Sequence, residues 1–196
     1  MGFTSLVFSR MLIQLIGLVA SFFSGLFVLR FVLQWVRAPF RNPIGRFVVT
    51  LTDWGVRPLR RFVPGWKGLD LSSLAMAWLI ESLSLLPILL LAGAPLADGG
   101  GLIPAIVGAG LIEMFRTMIY VVLGATLGLV VLSWVNPGAP LAPLLDAVAQ
   151  PFLRPFQRLV PPISGIDLSP LFLILVLQVL LGLLAHFKSA LLAGGL

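Results

Sequence analysis

The stretch Arg57-Pro58-Leu59-Arg60-Arg61-Phe62-Val63-Pro64, followed by Gly68-Leu69-Asp70-Leu71-Ser72-Ser73-Leu74, decides the architecture because it occurs twice. Its second copy reads Arg154-Pro155-Phe156-Gln157-Arg158-Leu159-Val160-Pro161, then Gly165-Ile166-Asp167-Leu168-Ser169-Pro170-Leu171, each residue 97 positions after its partner. The shared residues are Arg, Pro, Gly and Asp rather than interchangeable Leu and Val, so chance is a poor explanation. Upstream, Trp35 and Trp134 each close an apolar run, here 99 positions apart, which gives the first connection two extra residues. Self-similarity at a fixed offset marks a duplicated structural unit.

Outward from these motifs the chain is apolar. Of 196 residues, 59% are hydrophobic and 10% charged, and the mean hydropathy is +1.10. A soluble domain carries about a quarter charged residues, so lipid must supply much of the solvent here. Four runs are long enough to cross a bilayer: Met11 to Trp35, Leu71 to about Ala94 (interrupted by Glu81 and Pro87), Ala109 to Trp134 with residues 102–108 as an interfacial lead-in, and Leu168 to Phe187, ending at His186 and Lys188. Asp98-Gly99-Gly100-Gly101 reads as a flexible break. The expected fold is an all-α membrane protein. Four transmembrane helices form two parallel repeats, each with a cytoplasmic amphipathic interfacial segment. Residues 11–95 form the first repeat, 96–108 an outer connection and 109–187 the second repeat. Two spans per repeat return the chain to its starting side, so the repeats are related by an axis along the membrane normal rather than inverted.

Charge orients this arrangement. The first connection holds Arg37, Arg41, Arg46, Arg57, Arg60, Arg61 and Lys67, the second holds no basic residue, and the third holds Arg154 and Arg158. The positive-inside rule puts the first and third connections in the cytoplasm and both termini outside. The first apolar run continues too far for a signal-peptide core and is read as a retained span. The formal charge of +6 sits between spans, so the expected partner is the bilayer, with anionic headgroups. Membrane-protein partners or further copies of the chain are further expectations, and nucleic acid is not one.

Segments 42–64 and 141–162 are too polar to span, yet Phe47, Val48, Leu51 and Trp54, and Leu144, Leu145, Val148 and Phe152, recur at helical spacing. Short amphipathic helices in the headgroup layer are expected, broken or kinked at Pro58 and Pro155. Arg57, Arg60, Arg61, Arg154 and Arg158 then serve topology and lipid phosphate, grip an acidic partner, or form an entrance for an ion or a small anion. Asp70 and Asp167 fit helix N-caps, with Ser72 and Ser169 satisfying further free amides and Gly68 and Gly165 permitting the turn. The alternative pairs each aspartate with a repeat arginine at the mouth of a polar site.

Four charges fall inside the apolar runs. Glu81 lies about 16 Å into the second span at 1.5 Å per residue, so it must face the bundle, be protonated or be paired. Arg30 is the nearest partner in depth, and Arg116 approaches from the other side. Glu113 and Arg116, three apart on one helix, can neutralise each other. Snorkelling to the interface and an ion or proton path lined by Arg30, Glu81, Glu113 and Arg116 are the two readings.

Other chemistry is sparse. There is no cysteine and a single histidine, His186, which argues against a thiolate or His-based metal site and against a catalytic triad. No phosphate-binding Gly loop is followed by Lys-Ser/Thr. Asp146 reads as a solvated face residue. No catalytic residue, cofactor or metal is expected.

At the doubled motif the sequence resembles the YggT family of bacterial and chloroplast membrane proteins, over about residues 20–187. The second half matches at Gln150-Pro151-Phe152-Leu153-Arg154-Pro155-Phe156-Gln157-Arg158 and Gly165-Ile166-Asp167-Leu168-Ser169-Pro170. The first matches at Asn42-Pro43, Thr52, Arg57-Pro58, Arg60-Arg61 and Gly68-Leu69-Asp70-Leu71-Ser72. It departs at Trp54 and Ser73, where the family pattern often has Pro. The resemblance implies a four-span, non-enzymatic protein of the cell inner membrane carrying two YggT repeats. It implies a role in osmotic-stress tolerance and ion homeostasis as a channel or transporter component, or alternatively a scaffold for cell division or cytochrome maturation.

Overall fold

The computed structural model describes residues 3–38, 43–91, 102–160 and 167–195. Asn42, Arg41, Gly165 and the Asp98–Gly101 break lie outside them. Among the described residues six helices follow one another: α1 (Phe3–Trp35), α2 (Pro43–Leu59), α3 (Leu71–Leu91), α4 (Leu102–Val135), α5 (Ala142–Leu159) and α6 (Ser169–Gly195). Helices α1, α3, α4 and α6 are long and apolar enough to cross a membrane. Among the described residues there is no strand, only a bridge between Trp66 and Leu69.

The duplication is visible in the packing. Helix α1 packs on α2 and α3, and α2 on α3; α4 packs on α5 and α6 in the same way, and α5 on α6. Helix α4 also contacts α1 and α3, which joins the halves. Trp35 at the end of α1 meets Phe152 of α5 edge-on, at 5.8 Å between ring centroids, so both short helices lie at one end of the molecule.

The short helices follow from their patterning. Pro43 opens α2 at its first residue, where the missing N–H costs nothing. Gly45, Val48, Thr52, Gly55 and Val56 form its buried stripe. A Cβ on Gly55 would stand 2.9 Å from Phe27 Cζ, so glycine lets α2 lie close on α1. Phe47 and Trp54 stay exposed on the same helix, as suits an element in the headgroup layer. Helix α5 buries Leu144, Val148, Ala149 and Leu153.

Several expected boundaries move. Helix α1 begins eight residues before Met11, and α6 continues through His186 and Lys188 to Gly195. Residues 102–108 are the first turns of one continuous 34-residue α4, not a separate lead-in. Pro155 does not break α5, which carries Pro151 and Pro155 four apart and ends only at Leu159. Each proline withholds the amide that would bond the carbonyl four residues earlier, Ala147 for Pro151 and Pro151 for Pro155, and the helix continues past both. Pro58 falls in the last turn of α2, next to its final residue.

Candidate functional site

The first repeat gathers its charges into a hub at the basic end. Arg30, 7% exposed, points from α1 under α2. Its Nη1 donates to Thr52 Oγ1 and to Asp53 Oδ1, both at 2.8 Å, and its Nε lies 3.4 Å from Asp70 Oδ2. Asp70, 1% exposed, also accepts from Arg60 Nη2 at 2.9 Å and from Ser73 Oγ at 2.9 Å. Asp53 is shared with Arg57 at 2.8 Å. Hydrogen bonding to Arg30 holds the Asp53 carboxyl below its ordinary range, against the opposing effect of burial, with the Arg30 and Arg57 charges helping. A buried guanidinium is tolerated here because both of its charge partners and a hydroxyl are in place.

This arrangement corrects the pairing expected of Arg30 and the role expected of Ser72, and it bears out for Asp70 the alternative of a repeat-arginine partner. Arg30 pairs with Asp53 and Asp70, not with Glu81. Asp70 is an ion-pair centre rather than a simple cap: Oδ2 takes both arginines and Ser73 Oγ, and Oδ1 has no partner. Ser72 donates to the Val63 carbonyl at 2.7 Å instead of accepting a helix amide. The turn into α3 relies on Lys67 and Gly68, at φ 50° and 84°, a two-residue reversal closed by reciprocal bonds between Trp66 and Leu69.

The second repeat builds the same place differently. Asp167 accepts the Ser169 amide at 2.8 Å, an Asx-type bond onto the first residue of α6, and Gln157 Nε2 at 3.1 Å. Gln157 occupies the position of Arg60, so the donor ten residues before the aspartate persists while its charge is gone. Burial pushes the Asp167 carboxyl up, but the bonds from Ser169 and Gln157 outweigh it and leave it below its ordinary range. Leu129 stands where Arg30 stands in the first repeat, Ala149 where Thr52 stands and Gln150 where Asp53 stands. Around them opens a cavity of about 480 Å3, lined by Leu129, Ser133, Asp146, Gln150, Gln157 and Asp167 among others. Asp146 is thus a cavity wall rather than a plain solvated residue. Arg154 and Arg158 are exposed and Asp167 pairs with neither. Arg61 is exposed as well.

Inside the span region a second polar group crosses the bundle. Glu81 of α3, 5% exposed, accepts from Thr117 Oγ1 of α4 at 3.0 Å. The Ser24 hydroxyl of α1 lies beside it, and Ser82 Oγ, on the next residue of α3, has no hydrogen-bond partner. Glu113 binds Arg116 at 2.7 and 3.0 Å and also Lys188 of α6, a partner that sequence spacing could not reveal because it lies 75 residues away. A cavity of about 410 Å3 lined by Ser21, Gly25, Glu113, Thr117, Tyr120 and Val121 connects this neighbourhood. Among the described residues no group of three His, Cys, Asp or Glu could hold a metal.

Four spanning-length helices, a repeated interfacial helix and buried charges facing protein rather than lipid define a small polytopic membrane protein. The CCB3/YggT family matches residues 9–91 and 108–187, and the chain belongs to that family. It is 38% identical over 170 residues to an uncharacterised protein of Pseudomonas aeruginosa, covering 86% of this chain and 85% of that one. It is 31% identical over 167 residues to the uncharacterised protein YggT of Escherichia coli, covering 85% of each. A Vibrio alginolyticus protein is 31% identical over 153 residues, 77% of this chain and 80% of its own. No solved structure matches the chain.

Proposed function

We propose that the protein is a non-enzymatic component of the cell inner membrane that supports ion homeostasis under osmotic stress by conducting or transporting a small ion. The observation that carries the reading is Glu81, a carboxyl enclosed by α1, α3 and α4 with Thr117 as its hydrogen-bond donor and the Ser24 hydroxyl beside it. Ionisable groups at this depth are costly and mark ion or proton pathways. Glu113, Arg116 and Lys188 continue the polar track toward the far end. Arg30 lies outside that track, held in the basic-end hub. The basic helices face the cytoplasm and both termini face outward in this proposal, since α2 carries Arg46 and Arg57 and α5 carries Arg154 and Arg158.

Reconstitution into liposomes with an ion-flux readout tests it. Glu81→Gln preserves shape and removes the charge, and it should reduce flux at least tenfold at equal protein content. Flux equal to protein-free liposomes in the wild type would overturn the proposal. The alternative, a scaffold for division or cytochrome assembly, draws on the exposed Arg61, Arg154 and Arg158. These three leave the hub intact, so their joint replacement by Gln separates the readings: a scaffold loses function and a transporter keeps its flux.

A further inference from the structure

The two repeats place the same aspartate at the start of their second spanning helix but surround it differently. In the first repeat Asp70 is engaged by the guanidinium of Arg30, which fills the space between α1, α2 and α3. In the second, the residue at that position is Leu129, whose side chain brings neither charge nor planar donors, and the equivalent space between α4, α5 and α6 is the cavity of about 480 Å3. Its size lies in the range of small-ligand pockets.

The cavity's chemistry matches what it lacks relative to its twin. Asp146 adds a carboxylate that the first repeat does not have at this point, since Val49 is its counterpart. Asp167 keeps a carboxylate on the wall, and no cation of the described residues pairs with either aspartate. The amides of Gln150 and Gln157 and the hydroxyl of Ser133 line the same space, and Gln157 already turns its Nε2 to Asp167, which leaves its carbonyl oxygen free to accept. Trp134, 83% exposed, lines the same cavity and offers an aromatic face on which a cation can stack.

From this geometry we infer that the cavity between α4, α5 and α6 binds a guanidinium group, held by Asp146 and Asp167 as Asp53 and Asp70 hold Arg30 in the first repeat. The inference is independent of the ion-transport reading, because it rests on residues at the opposite end of the bundle from Glu113 and touches none of the intramembrane charges. A planar guanidinium suits two carboxylates and amide oxygens better than a compact ammonium does, since its donors form a fixed fork. The group is carried by a free small cation or by an arginine side chain of another polypeptide; the site chemistry is the same.

The test uses the full chain in nanodiscs, with methylguanidinium as probe and methylammonium as comparison, read by calorimetric titration. Saturable methylguanidinium binding, at least tenfold tighter than methylammonium and weakened at least tenfold by Asp146→Asn and by Asp167→Asn, is the expected result. Leu129→Arg supplies the guanidinium from the chain itself. It should abolish binding while keeping the wild-type melting temperature or raising it. If Leu129→Arg fails to fold, the Asp146→Asn titration still decides, because Asp146 takes part in no ion pair. N-acetyl-arginine amide and a tripeptide with central Arg, binding as tightly as methylguanidinium, would identify a polypeptide as the source. Binding by methylguanidinium alone would identify a free cation. Absence of saturable binding, equal binding of methylammonium, or binding that survives Asp146→Asn and Leu129→Arg would overturn the assignment.

Discussion

At the scale of single residues, Asp70 and Asp167 occupy equivalent positions and hold different jobs. Asp70 is buried against two arginines, so Asp70→Asn strands Arg30 with Asp53 as its only remaining charge partner. Breaking a buried pair from one side costs about 3–5 kcal/mol, and thermal melting in nanodiscs should show a loss of that order. Asp167 accepts the first amide of α6 and is solvent-facing, and an Asn carbonyl oxygen can accept the same bond. Asp167→Asn should therefore leave stability within about 0.5 kcal/mol of wild type. The same melts followed against pH test Asp53. Its folded carboxyl lies below the ordinary value, so its contribution is fully present above the unfolded pKa of about 3.9 and is lost as pH falls through the folded value. Asp53→Asn should flatten the acid limb below about pH 4 relative to wild type. The doubled aspartates were legible in the sequence, and so was the burial of Glu81. Their partners were not, because Arg30 reaches Asp53 only once α2 folds back onto α1, and depth along one helix says nothing about which neighbour faces it. Asp146 was misread for the same reason: its neighbours in sequence are unremarkable, and the cavity it lines is made by α4 and α6.

At the scale of elements, four spans and two amphipathic helices could be read from hydropathy and spacing, but the helix ends could not. Hydropathy measures what matches lipid, whereas a helix continues for as long as its own hydrogen bonds are served. Thus Phe3 to Arg10 extend α1 and Lys188 to Gly195 extend α6. Tight crossings were also hidden. Gly110 on α4 meets Ser82 on α3 so closely that an added Cβ would stand 2.7 Å from Ser82 Cα, a backbone atom that cannot swing aside. Small residues let spanning helices approach in this way. Gly110→Ala should force α3 and α4 apart, cost about 1–3 kcal/mol, and disturb the Glu81–Thr117 bond one turn from the contact. Gly124→Ala, with nothing within 4 Å of its added Cβ, is the matched control and should melt with wild type.

At the scale of the molecule, the duplication has kept the plan of each half and diverged in its polar content. Both halves place a short helix across the first spanning helix, and the ring contact between Trp35 and Phe152 fixes those short helices to one end. The proposed orientation puts that end in the cytoplasm, on the charge imbalance that the sequence displays. The chain has no native cysteine, so single-cysteine labelling reads the orientation directly. Cysteines at Ser5 and at Ser189 should react with an impermeant maleimide from the periplasmic side of intact spheroplasts. A cysteine at Arg154 should react only after the membrane is opened, and the reverse pattern would invert the arrangement.

The unequal lengths of the spanning helices carry a mechanical consequence. At 1.5 Å per residue, the 21 residues of α3 measure about 31 Å and the 34 residues of α4 about 51 Å. The hydrocarbon layer is about 30 Å thick, so α3 matches it upright while α4 must lean or protrude. When a swelling cell stretches its envelope the layer thins, and the mismatch grows for α4 and α1 far more than for α3. Leaning absorbs that mismatch, and it rotates α4 against α3 about their closest approach at Gly110 and Ser82, within a turn of Glu81. Through that contact, a change in bilayer thickness would reach the surroundings of Glu81, the buried carboxylate of the spanning helices among the described residues.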